Sequence, residues 1–133
     1  MNEQPIQLPV PPKMLGAEPQ LFVTDVAASC KYFEEVLGFL TRFCYGEPAF
    51  YAQVARDAAS INLRWVKEPV FDASQREAEA LLSATVVVNG VKELFLAHQA
   101  GGADFAQTLR REPWGAQTYI VRDPDGNLIL FAG

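Results

Sequence analysis

Few side chains in this sequence could do covalent chemistry, and their spacing restricts them further. The only histidine, His98, falls in a stretch of helical apolar periodicity and reads as a surface or half-buried helix residue. The two cysteines, Cys30 and Cys44, have neither metal-site nor redox-motif spacing. They read as free thiols in a reducing cytoplasm, with a disulfide left open. A lone histidine offers little to a Cys-His or Ser-His-Asp set, and no glycine-rich phosphate loop is present. Glu18 would serve as a base only if burial raised its pKa, and it reads instead as a solvated residue at the start of a strand. No catalytic residue is expected. Binding chemistry is better supplied. Phe43, Tyr45, Phe50, Tyr51, Trp65, Trp114 and Tyr119 lie on or beside stretches of strand composition. Their rings offer rigid faces to planar ligands and to cations. Asn62 and Arg64 alternate on one such stretch, so they share a face and can orient a ligand; Arg64 favours an anionic group.

The elements that must position these groups are written twice. Arg122-Asp123-Pro124-Asp125-Gly126-Asn127 separates two strand-like runs, with proline setting φ and glycine accepting positive φ, the chemistry of a hairpin turn. Arg56-Asp57-Ala58-Ala59-Ser60-Ile61 repeats the arrangement sixty-six positions earlier. The first half reads as a strand at 20–24, a helix from Val26 to about Leu37 capped by Asp25 and stopped by Gly38, and strands near 39–45, 49–56 and 60–66. Val26, Cys30, Phe33 and Leu37 form that helix's buried stripe. Residues 67–82 read as a polar connector with a short helix between Ser74 and Leu82. The second half repeats the order: a strand at 84–88, a helix from about Val91 to Ala100 opened by Asn89-Gly90, and strands near 103–110, 116–122 and 127–132. Residues 1–17, with Pro5, Pro9, Pro11 and Pro12, read as an extended arm able to reach a partner subunit.

Bulk properties narrow the class. A chain of 133 residues makes one domain or two small halves sharing a core. Its net charge of −5 argues against nucleic acid, which needs a basic face, and would draw cations at long range. No apolar run reaches membrane-span length, and the opening residues do not read as a secretory signal.

The layout resembles the vicinal oxygen chelate superfamily, which includes glyoxalases, dioxygenases and bleomycin-resistance proteins. The likeness is strongest to the bleomycin-resistance type and covers about residues 17–132. It is carried by Glu18-Pro19-Gln20-Leu21-Phe22-Val23-Thr24-Asp25-Val26, by Lys31-Tyr32-Phe33 with Leu37-Gly38-Phe39, and by Glu112-Pro113-Trp114-Gly115 followed by Arg122-Asp123-Pro124-Asp125-Gly126-Asn127. The resemblance implies an α+β fold: two tandem βαβββ modules, about 18–66 and 83–132, forming a curved mixed-sheet cup with helices on its outer face. They make one domain over 18–133, preceded by the arm.

Metal-dependent members place histidine, glutamate or glutamine at four cup-facing sites. By resemblance these map to Glu18, to Asn62 or Arg64, to about Ser83, and to Leu130. One carboxylate, an amide or a cation, a hydroxyl and a leucine make a poor donor set for a first-row ion. No catalytic metal or other cofactor is expected. What the resemblance then implies is a non-catalytic binder that sequesters an antibiotic or aromatic metabolite in a cleft at a homodimer interface. The ligand-binding residues expected are Phe43, Tyr51, Asn62, Arg64, Trp114 and Tyr119. The alternative is a metal-dependent lyase, isomerase or dioxygenase of the superfamily with an altered site. The partners expected are a small molecule and a second copy, not nucleic acid or membrane, in the cytoplasm.

Overall fold

The structure, a computed structural model, describes Pro5, Ile6 and residues 8–133. Two modules follow one another. The first runs β1 (Gln20–Val23), α1 (Val26–Glu35), β2 (Leu40–Gly46), β3 (Ala49–Arg56) and β4 (Ala59–Trp65). A connector holds the short α2 (Ala73–Ala78). The second runs β5 (Ala84–Val87), α3 (Val91–Ala100), β6 (Asp104–Arg111), β7 (Gln117–Arg122) and β8 (Leu128–Ala132). Each module builds a four-stranded mixed sheet of the same topology, β1-β4-β3-β2 and β5-β8-β7-β6. In both, the first strand lies parallel to the last and the others pair antiparallel. The α+β class and the tandem βαβββ modules are as the sequence implied.

Local chemistry explains the boundaries. Asp25 caps α1 by accepting the Ala28 N–H at 3.0 Å, satisfying a helix-end donor that otherwise lacks a partner. Gly38 follows the helix with φ +75°, a conformation that costs a side-chain-bearing residue more. Val26, Cys30, Phe33 and Leu37 are buried as their spacing requires. On α3 the corresponding stripe of Val91, Leu94 and Phe95 continues into His98. The sequence placed that histidine at or near the surface, but it is only 2% exposed.

One core serves both modules. Leu21, Val54, Ile61 and Leu63 of the first sheet join Tyr119, Val121, Ile129 and Phe131 of the second in a single apolar cluster with the two long helices. Tyr32 of α1 donates to the Arg122 carbonyl at 2.9 Å, and the His98 ring lies 3.2 Å from the Leu37 carbonyl, so each helix is tied to the other module. Both sheets therefore turn one face to this shared core. The opposite face of the first sheet is a wall backed by α1, while the corresponding face of the second carries Thr118, Ile120 and Leu128, all buried. At one end of that second face, Glu77 of α2 pairs with Arg122. No helix among the described residues is long and apolar enough to cross a membrane.

Candidate functional site

Alternation along the strands assigns the open face of the first sheet. Tyr51 stands opposite Arg64, and Gln53 opposite Asn62. Tyr45 and Phe43 stand opposite Tyr51 and Gln53 on the other side. Gln20 lies beside Asn62 and Phe22 beside Arg64. Side chains directly opposite in a ladder point the same way, so these groups form one surface.

That surface has two parts. The first is aromatic. Phe43 stacks on Tyr45 with ring centres 5.1 Å apart, and on Tyr51 at 6.0 Å. The second is polar and tied together by Gln53, a glutamine only 6% exposed. Its amide nitrogen donates to Glu18 Oε2 at 2.7 Å and to Asn62 Oδ1 at 2.8 Å. Tyr51 Oη donates to Gln20 Oε1 at 3.4 Å, linking the rings to the polar end. Among the described residues, the Asn62 amide nitrogen and the Arg64 guanidinium donate to no protein group, and Arg64 joins no ion pair. A wall of stacked rings beside an anchored carboxylate and two free donors can hold a flat molecule and fix its polar edge.

Four of the residues expected from the sequence, Phe43, Tyr51, Asn62 and Arg64, thus lie on one face. Two do not join them. Trp114 sits in the β6–β7 turn, 75% exposed. Tyr119 corrects the sequence reading: it is fully buried in the shared core, its ring 5.1 Å from Phe131 and its hydroxyl 2.9 Å from His98 Nδ1. It cannot touch a ligand on the open face, because the fold spends its ring on the inner face of β7. Trp65 is half-exposed at the end of β4, where its indole N–H donates to the Thr24 carbonyl at 3.1 Å. Gln53 was missed, although Tyr51, Gln53 and Ala55 follow the same alternation that singled out Asn62 and Arg64.

The donor chemistry of the four mapped metal positions does not suit a transition ion. Glu18, Asn62 and Arg64 occupy the open face of the first sheet, while Leu130 lies on the second sheet, opposite the buried Ile120. Leucine has no lone pair to give, and Arg64 would repel a cation. Ser83 is engaged with Asn127 Oδ1 at 3.2 Å. Among the described residues no three His, Cys, Asp or Glu side chains converge.

A cavity of about 790 Å³ lies elsewhere, between the modules beside the β3–β4 turn and the start of α3. Leu37, Phe39, Ile61, Val86 and Leu94 line it, with Arg56 and Glu93 among its charged groups. None of Phe43, Tyr51, Asn62 and Arg64 lines it, so the two are separate features.

A family model described as the Glyoxalase/Bleomycin resistance protein/Dioxygenase superfamily matches residues 17–131. The chain belongs to this superfamily. Solved structures of the superfamily's build agree. TioX from Micromonospora sp. ML1 is 25% identical, with a TM-score of 0.69 over 86% of this chain and 94% of that one. A bleomycin-binding protein from bleomycin-producing Streptomyces verticillus, solved with copper(II)-bleomycin, is 25% identical, with a TM-score of 0.68 over 90% and 95%. A glyoxalase-related enzyme from Clostridium phytofermentans shares the fold at 20% identity and a TM-score of 0.72 over 90% and 95%. No curated protein sequence matches the chain. The superfamily's name spans binders and enzymes, so the choice between them rests on the side chains of this chain.

Proposed function

We propose that this protein is a non-catalytic small-molecule binder of the glyoxalase/bleomycin-resistance type. It sequesters an antibiotic or an aromatic metabolite against the open face of the first sheet. The observation that carries this is the Phe43–Tyr45–Tyr51 stack beside the Glu18–Gln53–Asn62 group and the unpaired Arg64. The rings take a planar ligand, Glu18 faces a cationic edge, and Arg64 and Asn62 donate to carbonyl or anionic groups. The likeness to a protein solved with bleomycin supports the ligand class.

One sheet face is a wall and not a pocket. A cleft that encloses a ligand forms when a second copy brings its wall opposite. The protein is therefore read as a homodimer, with residues 18–133 as the domain and residues 1–17 as an arm contributing to the contact. Two cysteines without a disulfide fit the cytoplasm as its compartment.

A thermal-shift and calorimetric screen with metal-free bleomycin, planar aromatic cations and neutral aromatic metabolites tests the reading. A ligand that binds only the native state raises the melting temperature by mass action. The expected result is a shift with at least one planar class that Tyr51→Ala abolishes. A shift unaffected by Phe43→Ala and Tyr51→Ala, or a stoichiometric transition metal retained through purification, would overturn it.

A further inference from the structure

The spacing of Cys30 and Cys44 matches no redox motif, yet the fold brings them to one seam. Cys30 lies on the buried stripe of α1, and Cys44 is exposed on the edge strand β2. In the ladder Cys44 stands opposite Ala52, which belongs to the core on the helix side of the sheet. The Cys44 side chain therefore points toward α1 and away from the face that holds Phe43 and Tyr45. The seam is already fastened one helical turn further on, where Thr41 Oγ1 donates to Glu34 Oε1 at 2.6 Å. Glu34 follows Cys30 by four residues and lies above it on the same side of α1. Thr41 and Cys44 share a side of β2 because the register slips between Thr41 and Phe43. Burial, first, and the nearby Cys44 thiol raise the proton affinity of Cys30, while the Thr41 hydroxyl lowers it, which makes both β2 groups immediate neighbours of that sulfur.

We propose that Cys30 and Cys44 are a peroxide-responsive thiol pair that closes to an intrachain disulfide and pins edge strand β2 to α1. Cys44 is the sulfur that a dissolved oxidant reaches. Cys44 releases its proton and the thiolate attacks hydrogen peroxide; the O–O bond breaks, and the leaving hydroxide takes up a proton to depart as water, giving a sulfenic acid on Cys44. Cys30 then releases its proton and its sulfur attacks that of Cys44. The S–O bond breaks and a second water leaves. The two thiols lose two electrons and the peroxide gains two. Burial keeps Cys30 protonated and out of solvent, which suits it to the second step and not the first. The disulfide would form one backbone layer behind the aromatic wall.

Peptide mapping reads the outcome without any variant. Trypsin separates the two cysteines into peptides 14–31 and 43–56, because Lys13, Lys31, Arg42 and Arg56 bound them. Purified, reduced full-length protein is treated with a small excess of hydrogen peroxide and digested without reductant. The expected product is peptide 14–31 linked to 43–56 within a single chain, reversed by dithiothreitol. In Cys30→Ser, Cys44 should instead accumulate as sulfenic acid trapped by dimedone. In Cys44→Ser, Cys30 should resist both peroxide and alkylation until the protein is unfolded. Wild-type protein that gives only dimedone-labelled Cys44, or only a Cys44–Cys44 link between chains, would overturn the proposal, and neither result bears on ligand binding.

Discussion

Gln53 holds the polar end of the open face together, and its replacement tests how far that end is built. Its amide is the donor shared by Glu18 and Asn62, and it is nearly buried. Gln53→Ala should lower stability by about 1 kcal/mol, the usual net worth of hydrogen bonds whose remaining partners water can still reach, as read from urea unfolding. His98 shows the same logic in the core. The Leu37 carbonyl can only accept, so Nε2 carries the ring proton and Nδ1 accepts from the Tyr119 hydroxyl. Burial holds the His98 pKa below its ordinary 6.5, ahead of an opposing contribution from the Leu37 carbonyl. As pH falls through 6.5 the unfolded chain takes up a proton that the native ring refuses, so this contribution to stability is present above that pH and is lost on acidification. Urea unfolding at several pH values should show wild-type protein losing stability relative to His98→Gln between neutrality and pH 5. These two residues also mark where the sequence could be read. Ser60, Asn62 and Arg64 alternate with Ile61 and Leu63, so the face of β4 was plain. Thr118-Tyr119-Ile120-Val121 offers no such contrast, because both sides of β7 are covered, and Tyr119 was placed with the ligand when it belongs to the core.

At the scale of elements, the β7–β8 hairpin is a clasp as well as a turn. Asp123 Oδ1 accepts the Asp125 and Asn127 N–H groups at 2.9 and 2.7 Å, and Oδ2 accepts from the Asn127 amide at 2.8 Å. Asp125 Oδ1 reaches across to Thr24 N–H and Oγ at 3.0 and 2.7 Å. Asn127 donates to the Phe22 carbonyl at 3.0 Å and accepts from Arg76 at 2.9 Å and from Ser83. One turn thus joins β1, the connector and the start of the second module. The sequence showed the turn but not the clasp, since those partners lie up to 105 positions away. Asn127→Ala should cost about 2–3 kcal/mol by urea unfolding, because it strands several buried groups at once. Burial pushes the Asp123 pKa up to about 6, against the hydrogen bonds from Asn127 that lower it. The raised value means that the native state holds a proton the unfolded chain has released, between the ordinary 3.8 and about 6. Stability from this group therefore grows as pH falls through that window and is lost as pH rises through about 6. The stability of wild-type protein relative to Asp123→Asn should increase from pH 7 to pH 4, opposite in sign to the His98 comparison.

At the scale of the molecule, periodicity within strands shows which residues share a face, but not which faces of two sheets meet. The tandem modules were legible because the turn and helix signals recur in order. Their shared core, with both helices contacting both modules, depends on side-chain packing that no local pattern records. That packing leaves residues 8–16 of the arm exposed on the single chain. Ile6, Val10, Met14 and Leu15 are each at least 90% exposed, and Leu8 nearly so. Apolar area in water costs about 25 cal/mol per Å² relative to its burial, so a row of such side chains gains several kcal/mol from a partner surface. Pro9, Pro11 and Pro12 keep this stretch extended and discourage it from doubling back onto its own chain. A second copy, related by a two-fold axis, can take each arm while offering its own. If the arm contributes to the dimer in this way, deleting residues 1–16 should raise the dimer dissociation constant at least tenfold while leaving the circular dichroism of the domain unchanged. Sedimentation velocity over a hundredfold range of concentration would show it. Identical sedimentation of the full chain and the truncated one, as monomers at every concentration, would remove both the arm contact and the closed cleft that depends on pairing.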